Sequence, residues 1–451
     1  MSQIKPARNH RNGQFSRRDV LKLGGGLLGA LAGSVALPKA LLKPEGVAAA
    51  AGVKSAAKAS IQRPVYDEVI PNKHLAGTDG WIHLPGDPRP PYFPDNMTPD
   101  PLFNTYIFGY HDVSGVAPQD LIKFKMKAQL AAPVLILEEL EPYYLKLTNL
   151  GLQLRPDLID AHTVHFHGFR NAIPIFDGEP HSSVGVPIIR DLTYYYMPRD
   201  PGTYMYHCHF EETEHVHMGM IGPAFIRPAL NKTLAPRKFV YNDESTEYNR
   251  EFYLCLSEVW LEAHWADSHI QLPEWSDYKP EFYLINGRAY PDTIVGNGYR
   301  DATGEMVGPA GREDLANQPV TSLITTNEFD QVLLRVNNLG FETVTMTLAG
   351  IKMRVIARDA VQLKGRNEED LSFMTSSITL GSGESTDVIF EAPAYQGVNG
   401  VGQPDKYLFY SRNLAPLNNA GWAGKGGQMT EVHVFPRNDS ITLPDQTEPN
   451  T

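Results

Sequence analysis

The chain reads as all-β, built as two β-sandwich domains in tandem, and three observations carry that reading. Short alternating or apolar runs recur between turns of Gly, Pro and Asn. The 451 residues include 35 Pro and 38 Gly, enough to punctuate many strands. The second half also repeats landmarks of the first. Strands spaced this way by turn residues fit sandwiches better than helical folds.

Taken in order, the first segment lies outside the fold. Ser16-Arg17-Arg18-Asp19-Val20-Leu21-Lys22 precedes an apolar, glycine-rich run from Leu23 to Leu37. Three consecutive glycines, Gly24 to Gly26, are poor helix material. The pattern resembles a twin-arginine export signal, a receptor-read address and not an anchor. Residues 1–50 are therefore set aside as signal and linker, with small-residue cleavage sites between Val47 and Ala59. No other apolar run is long enough to span a bilayer. The mature protein is expected to be soluble and periplasmic, extracellular or at the cell surface.

The first sandwich is placed at 60–235, with its Pro-, Gly- and Asp-rich stretch 60–130 read as extension and loops. Val134 to Leu140, Leu145 to Gly151 and Leu192 to Tyr196 supply strands. Pro236-Arg237 leads to a second sandwich at 245–440, with strands at Ile378 to Leu380 and Val388 to Glu391. Residues 288–325 read as loops, and the polar tail after Arg437 as disordered. The repeat aligns Leu145–Gly151 with Leu334–Gly340, His162–His167 with Glu342–Thr347, and Tyr204–His209 with Tyr407–Arg412.

Hydrophobic residues make up 42% of the chain, enough for full cores, and the formal net charge is −12. No basic patch interleaved with aromatics argues for nucleic acid, so that class of partner is excluded. Of the two cysteines, Cys255 lies in an apolar strand-like run and reads as a buried, inert thiol; no disulfide is expected.

The chemistry concentrates in His207-Cys208-His209, followed by His215 and Gly219-Met220. On a strand, neighbouring side chains point to opposite faces. Cys208 therefore points away from both imidazoles. Upstream, His165 and His167 share a face and His162 falls on the other. Pairing the two strands gathers four imidazoles on one side, and Cys208 with His162 on the other. One more imidazole and a weak axial sulfur would make the second set a blue-copper site. His215 with Met220 is the preferred completion, and His217 with Met218 competes.

These residues resemble the multicopper oxidase family of cupredoxin-fold proteins, whose signature is His-x-x-His-x-His and His-Cys-His with a following His-x3-Gly-Met. The loop between His209 and His215 is two residues longer than usual. The resemblance implies two Greek-key cupredoxin sandwiches and copper of two kinds. A type 1 (blue) copper would sit on His162, Cys208, His215 and Met220, and type 2/type 3-like copper on His165, His167, His207 and His209. It implies oxidoreductase activity, with electrons passing from a small-molecule or redox-protein donor to oxygen or another small oxidant. Asp177, in Asp177-Gly178-Glu179-Pro180, matches a loop whose Asp assists proton delivery; a solvated turn is its plain alternative.

By the repeat, the second sandwich has lost every imidazole, so the usual eight-histidine cluster is expected to be incomplete. Self-association would not restore it, since every copy lacks the same half, although a homo-oligomer stays open. His181 is the most plausible extra ligand, and His264 with His269 has helix-compatible spacing. Glu211, Glu212 and Glu214 read as a solvated acidic loop. A blue-copper electron carrier and a nitrite-reductase-like enzyme are the alternative functions.

Overall fold

The computed structural model describes residues 69–86, 102–400, 402–438 and 442–451. The expected export signal lies outside them. Glu68–Thr451 forms one compact unit.

Eight strands build the first sandwich: β1 (Lys73–Ile82), β2 (Thr105–Asp112), β3 (Leu135–Glu138), β4 (Tyr143–Gly151), β5 (His165–His167), β6 (Arg190–Tyr196), β7 (Gly202–His207) and β8 (Ile221–Arg227). They pair as β2-β1-β4-β6 and β3-β8-β7-β5. Alternation in β4 sends Tyr143, Leu145 and Leu147 into a core of Tyr and Leu side chains. A two-residue hairpin, β9 (Lys238–Phe239) and β10 (Glu247–Tyr248), follows.

The second sandwich begins with β11 (Arg250–Val259) and β12 (Phe282–Ile285), then the hairpin β13 (Tyr299–Arg300) and β14 (Met306–Val307). It continues through β15 (Ile324–Asn327), β16 (Gln331–Asn338), β17 (Val344–Leu348), β18 (Met353–Arg358) and β19 (Val361–Gln362). The last strands are β20 (Phe373–Thr375), β21 (Ser377–Leu380), β22 (Ser385–Glu391), β23 (Asp405–Ser411) and β24 (Met429–Phe435). One sheet runs β12-β11-β16-β22-β18-β19, with β20 beside β18, and the other β15-β24-β23-β17-β21.

The repeat seen in the sequence is a repeat of topology. In each half a parallel pair, β1 with β4 or β11 with β16, is followed by an antiparallel neighbour. Asn149 and Asn338 occupy the same place: each amide spans two carbonyls, and each Oδ1 accepts the N–H of a glycine two residues on.

The alignment of His162–His167 needs a correction. Asn149 reaches Asp160 O and Val186 O, and Asn338 reaches Glu342 O and Leu380 O. His162 bridges Val186, and Val344 pairs with Leu380. His162 therefore corresponds to Val344, and His165 to Thr347, two residues further than the sequence alignment placed them. Gly151 to His162 spans 11 positions and Gly340 to Val344 spans 4, so the turn after Gly340 is 7 residues shorter, where the alignment implied 9.

Two other expectations fail. Residues 60–130 were read as extension and loops, yet β1 and β2 lie there, and Gly77 and Gly80 of that stretch sit inside β1. The tail after Arg437 was read as disordered, yet Gln446 and Asn450 are buried and bond to the backbone of Glu251 and Tyr253. Polar side chains can hold a segment by satisfying strand-edge groups, which composition does not reveal.

Candidate metal centres

The register His165↔His207 joins β5 to β7, and the ladder runs on through Cys208, whose N–H donates to Met220 O. Strand alternation then separates two sets of side chains. On one face the ring centroids of His165 lie 5.3 Å from His207 and 4.9 Å from His209, and His167 lies 5.7 Å from His207. On the other, Cys208 Sγ lies 3.3 Å from His215 Nδ1, and the His162 and His215 rings are 5.2 Å apart. Among the described residues these are the two groups able to hold a metal: His162, Cys208 and His215, and His165, His167 and His207, each set within 4.8 Å.

The first set fits a soft ion. His162 is 1% exposed, and neither of its ring nitrogens has a hydrogen-bond partner; nor does His215 Nε2. An orphaned buried polar atom costs about 1–3 kcal/mol, a cost that a coordinated ion removes. Burial works against a charged Cys208, yet the His215 charge and the bond between Sγ and His215 Nδ1 hold the thiol well below its ordinary value. Burial likewise opposes His215, but Cys208 and Asp160 push it up to about 10. A thiolate is thus favoured, the form that binds copper. The Thr163 N–H points at Sγ over 3.4 Å, and Thr163 Oγ1 accepts from the His209 N–H.

Gly77 supplies the room. A Cβ there would meet His162 Cδ2 at 2.8 Å and Met220 Cε at 3.5 Å. That point also places the Met220 methyl beside the His162 ring. His217 faces elsewhere. The five residues between His209 and His215 run into a helix, Glu212–Met218, where residues two apart diverge by about 200°. His215 turns to Cys208, whereas His217 packs among His264, Trp275, Tyr278 and Phe341 and accepts the Trp260 N–H.

In the second set, burial favours the neutral form of two imidazoles, His207 and His167. Burial holds His207 down at about 3 against its bond to Cys208 O, and the neighbouring imidazoles add to the effect. Burial, then the His165 charge, lowers His167. His165 Nδ1 bonds Asp177 O at 2.7 Å, His207 Nδ1 bonds Cys208 O at 2.9 Å, and His209 Nδ1 faces Glu212 at 3.1 Å. A ring whose Nδ1 is tied to oxygen keeps Nε2 for a metal. The Asp177 carboxylate stands 3.5 Å from His165 Nδ1, next to the histidine face.

Other candidates separate. His181 is exposed and paired with Glu179, outside both sets; its nearness in sequence to Asp177 is undone by the turn between them. His264 and His269 do lie on or beside a helix, Leu261–Ser268, but one ring bonds Tyr106 O and the other stacks on Trp265. The acidic loop is a helix: Glu212 meets His209, and Glu214 joins buried Arg155 and Asp267. Cys255 is buried, and burial pushes its thiol up to about 12. Sequence reasoning missed Gly77, Thr163 and Asp160. Thr163 was visible inside the motif, whereas Gly77 could be found only through the pairing of β1.

A pair of sandwiches with a thiolate–imidazole set on one face of a strand and imidazoles on the other defines a cupredoxin-type copper protein. Residues 144–231 match the family model described as multicopper oxidase. That match lies within the first sandwich, whose two His/Cys groups could hold a metal ion. No curated protein matches by sequence. Among solved structures, the chain is similar to a blue copper oxidase from Nitrosomonas europaea (18% identity, TM-score 0.51, covering 82% of this chain and 91% of that one). It is also similar to a multicopper oxidase designated mgLAC (16% identity, TM-score 0.53, covering 84% and 91%). At these identities the likeness shows the fold.

Proposed function

We propose that the chain is an exported oxidase that holds a blue copper on His162, Cys208, His215 and Met220, and further copper on His165, His167, His207 and His209. The observation that carries this is the placement of Cys208 between His207 and His209, which joins the two faces through one residue on each side. Copper held by the two sets would supply one-electron chemistry between a donor at the thiolate face and oxygen or another small oxidant at the histidine face.

The protein's own part is to position and to exclude. Thr163 fixes the thiolate and the His209 backbone together, so the two faces keep a constant separation. Buried His162, Cys208 and His215 keep water from the thiolate. The Nδ1 bonds orient three imidazoles, and Asp177 stands where a proton can be passed along the His165 side. Among the described residues no helix is long and apolar enough to cross a membrane; the arginine pair near the N-terminus supports export.

Copper content, absorption and oxygen uptake of purified protein test the reading together. A blue protein with more than one copper, whose oxygen uptake is lost in Cys208→Ser, is expected. A blue protein with one copper and no oxygen uptake would instead be an electron carrier.

A further inference from the structure

The second sandwich has no imidazole at the positions that matter, yet it covers the histidine face. The turn between β21 and β22 lies against His167. A Cβ built on Gly383 would stand 2.8 Å from His167 Nε2 and 3.0 Å from its Cε1, and Gly383 has φ +75°. This turn is held firmly. The Gly383 N–H donates to Asn338 O, the Asn338 N–H to Glu384 O, and the Gly381 N–H to Glu384 Oε2 at 2.7 Å. Asn338 is the residue whose amide also spans Glu342 O and Leu380 O, so the roof is built onto the end of β16. Beside it a cavity of about 290 Å³ is lined by His167, Thr203, Asp359, Ser382, Gly383 and Glu384.

We propose that Gly383 is a positioning residue for the histidine face: the second sandwich donates no ligand there, but sets the orientation of His167 and the room left beside its Nε2. The inference rests on the reading that this face binds copper. Any larger side chain at 383 would press on the Nε2–Cε1 edge of the His167 ring. The ring would turn away, and His165 and His207 would be left without their third partner. The roof also makes the surroundings of the bound ion unequal. Imidazoles of the first sandwich stand on one side, and the hydroxyl and carboxylate side chains of Ser382, Glu384 and Asp359 on the other.

The test uses the full, copper-loaded chain, with copper per chain by elemental analysis, non-blue Cu(II) by electron paramagnetic resonance, and the blue absorption band. Gly383→Ala is expected to weaken the non-blue copper by about 10- to 100-fold, as for other residues that orient a ligand, with the blue band unchanged. Gly311→Ala is the control, because Gly311 has φ +76° and nothing within 4 Å of its would-be Cβ. It should leave both coppers as in the wild type, which separates backbone strain from contact with His167. Should Gly383→Ala fail to fold, Glu384→Ala removes an exposed clamp and should speed exchange of the non-blue copper alone. Wild-type non-blue copper in Gly383→Ala, or in Glu384→Ala where that variant must serve, overturns the roof. A wild-type protein that is blue but holds a single copper overturns the histidine-face reading itself, a distinct result.

Discussion

The two sandwiches share a skeleton and differ in what fills one corner of it. Gly77 of β1 pairs with Asn149, and Leu256 of β11 pairs with Asn338, so the two are equivalent positions. Asp79 accepts from Tyr106 OH and the Leu154 N–H; Glu258, two residues past Leu256, accepts from Tyr278 OH and the Phe341 N–H. The Cys208 N–H donates to Met220 O, as the Ser411 N–H does to Gln428 O. Around this common frame, Gly77, His162, Cys208 and Met220 become Leu256, Val344, Ser411 and Gln428. The first corner gathers His162, Cys208 and His215 within 4.8 Å, and the second is filled by a leucine and a valine. A metal site and a packed core are here alternative fillings of one space.

The largest test of that contrast is to exchange the sulfur. Cys208→Ser should abolish the blue absorption, whereas Ser411→Cys should create none, because Val344 and Gln428 offer no imidazole or thioether. A blue band arising from Ser411→Cys would break the comparison. Next come paired volume changes. Leu256→Ala should cost about 2–5 kcal/mol, as for other buried leucines, with the blue band kept. At the equivalent position, Gly77→Ala should cost about 1–3 kcal/mol through overpacking and should weaken blue copper as well. Equal effects on copper from both variants would show that the corner is not specific.

Proton uptake sharpens the comparison further. In the metal-free protein, burial holds His74 and His264 at about 4 and His207 at about 3, whereas exposed His181 is raised by its bond to Glu179. An unfolded histidine takes its proton near 6.5, so each buried imidazole contributes stability above that pH that is lost as pH falls toward 4. Imidazole resonances followed by NMR should show His181 titrating above 6.5, His74 and His264 silent until about 4, and His207 until about 3. Protonation of His207 close to 6.5 would contradict its buried placement. The smallest effect is expected from His181→Ala, which should leave copper content and colour unchanged; loss of copper there would return His181 to the ligand set.

The metal chemistry was legible in the sequence because alternation is a local rule. His162, His165, His167, His207 and Cys208 needed only strand parity to be sorted onto two faces. His215 against His217 was not decidable by the same rule, since the intervening residues turned out helical and parity gave way to a 3.6-residue period. Gly77 was hidden for a different reason. A glycine within a Pro- and Gly-rich stretch looks like a turn, and only its partner across the sheet shows that it makes room for an imidazole. The two-residue slip in the repeat has the same origin, because similarity of side chains does not register the length of a turn that hydrogen bonds to Asn338 define.

The helix Glu212–Met218 carries one further implication, for anyone who would cut this protein apart. Its inner side presents His215 to the thiolate, and its outer side seats His217 against the Trp260 N–H and the rings of Trp275, Tyr278 and Phe341, all from beyond β10. The half that carries the candidate metal groups is therefore not a detachable cartridge. A fragment ending after β8 would keep every ligand in its sequence and lose the socket that keys one of them into place, so loss of colour on truncation would signify a missing bearing and not a missing ligand.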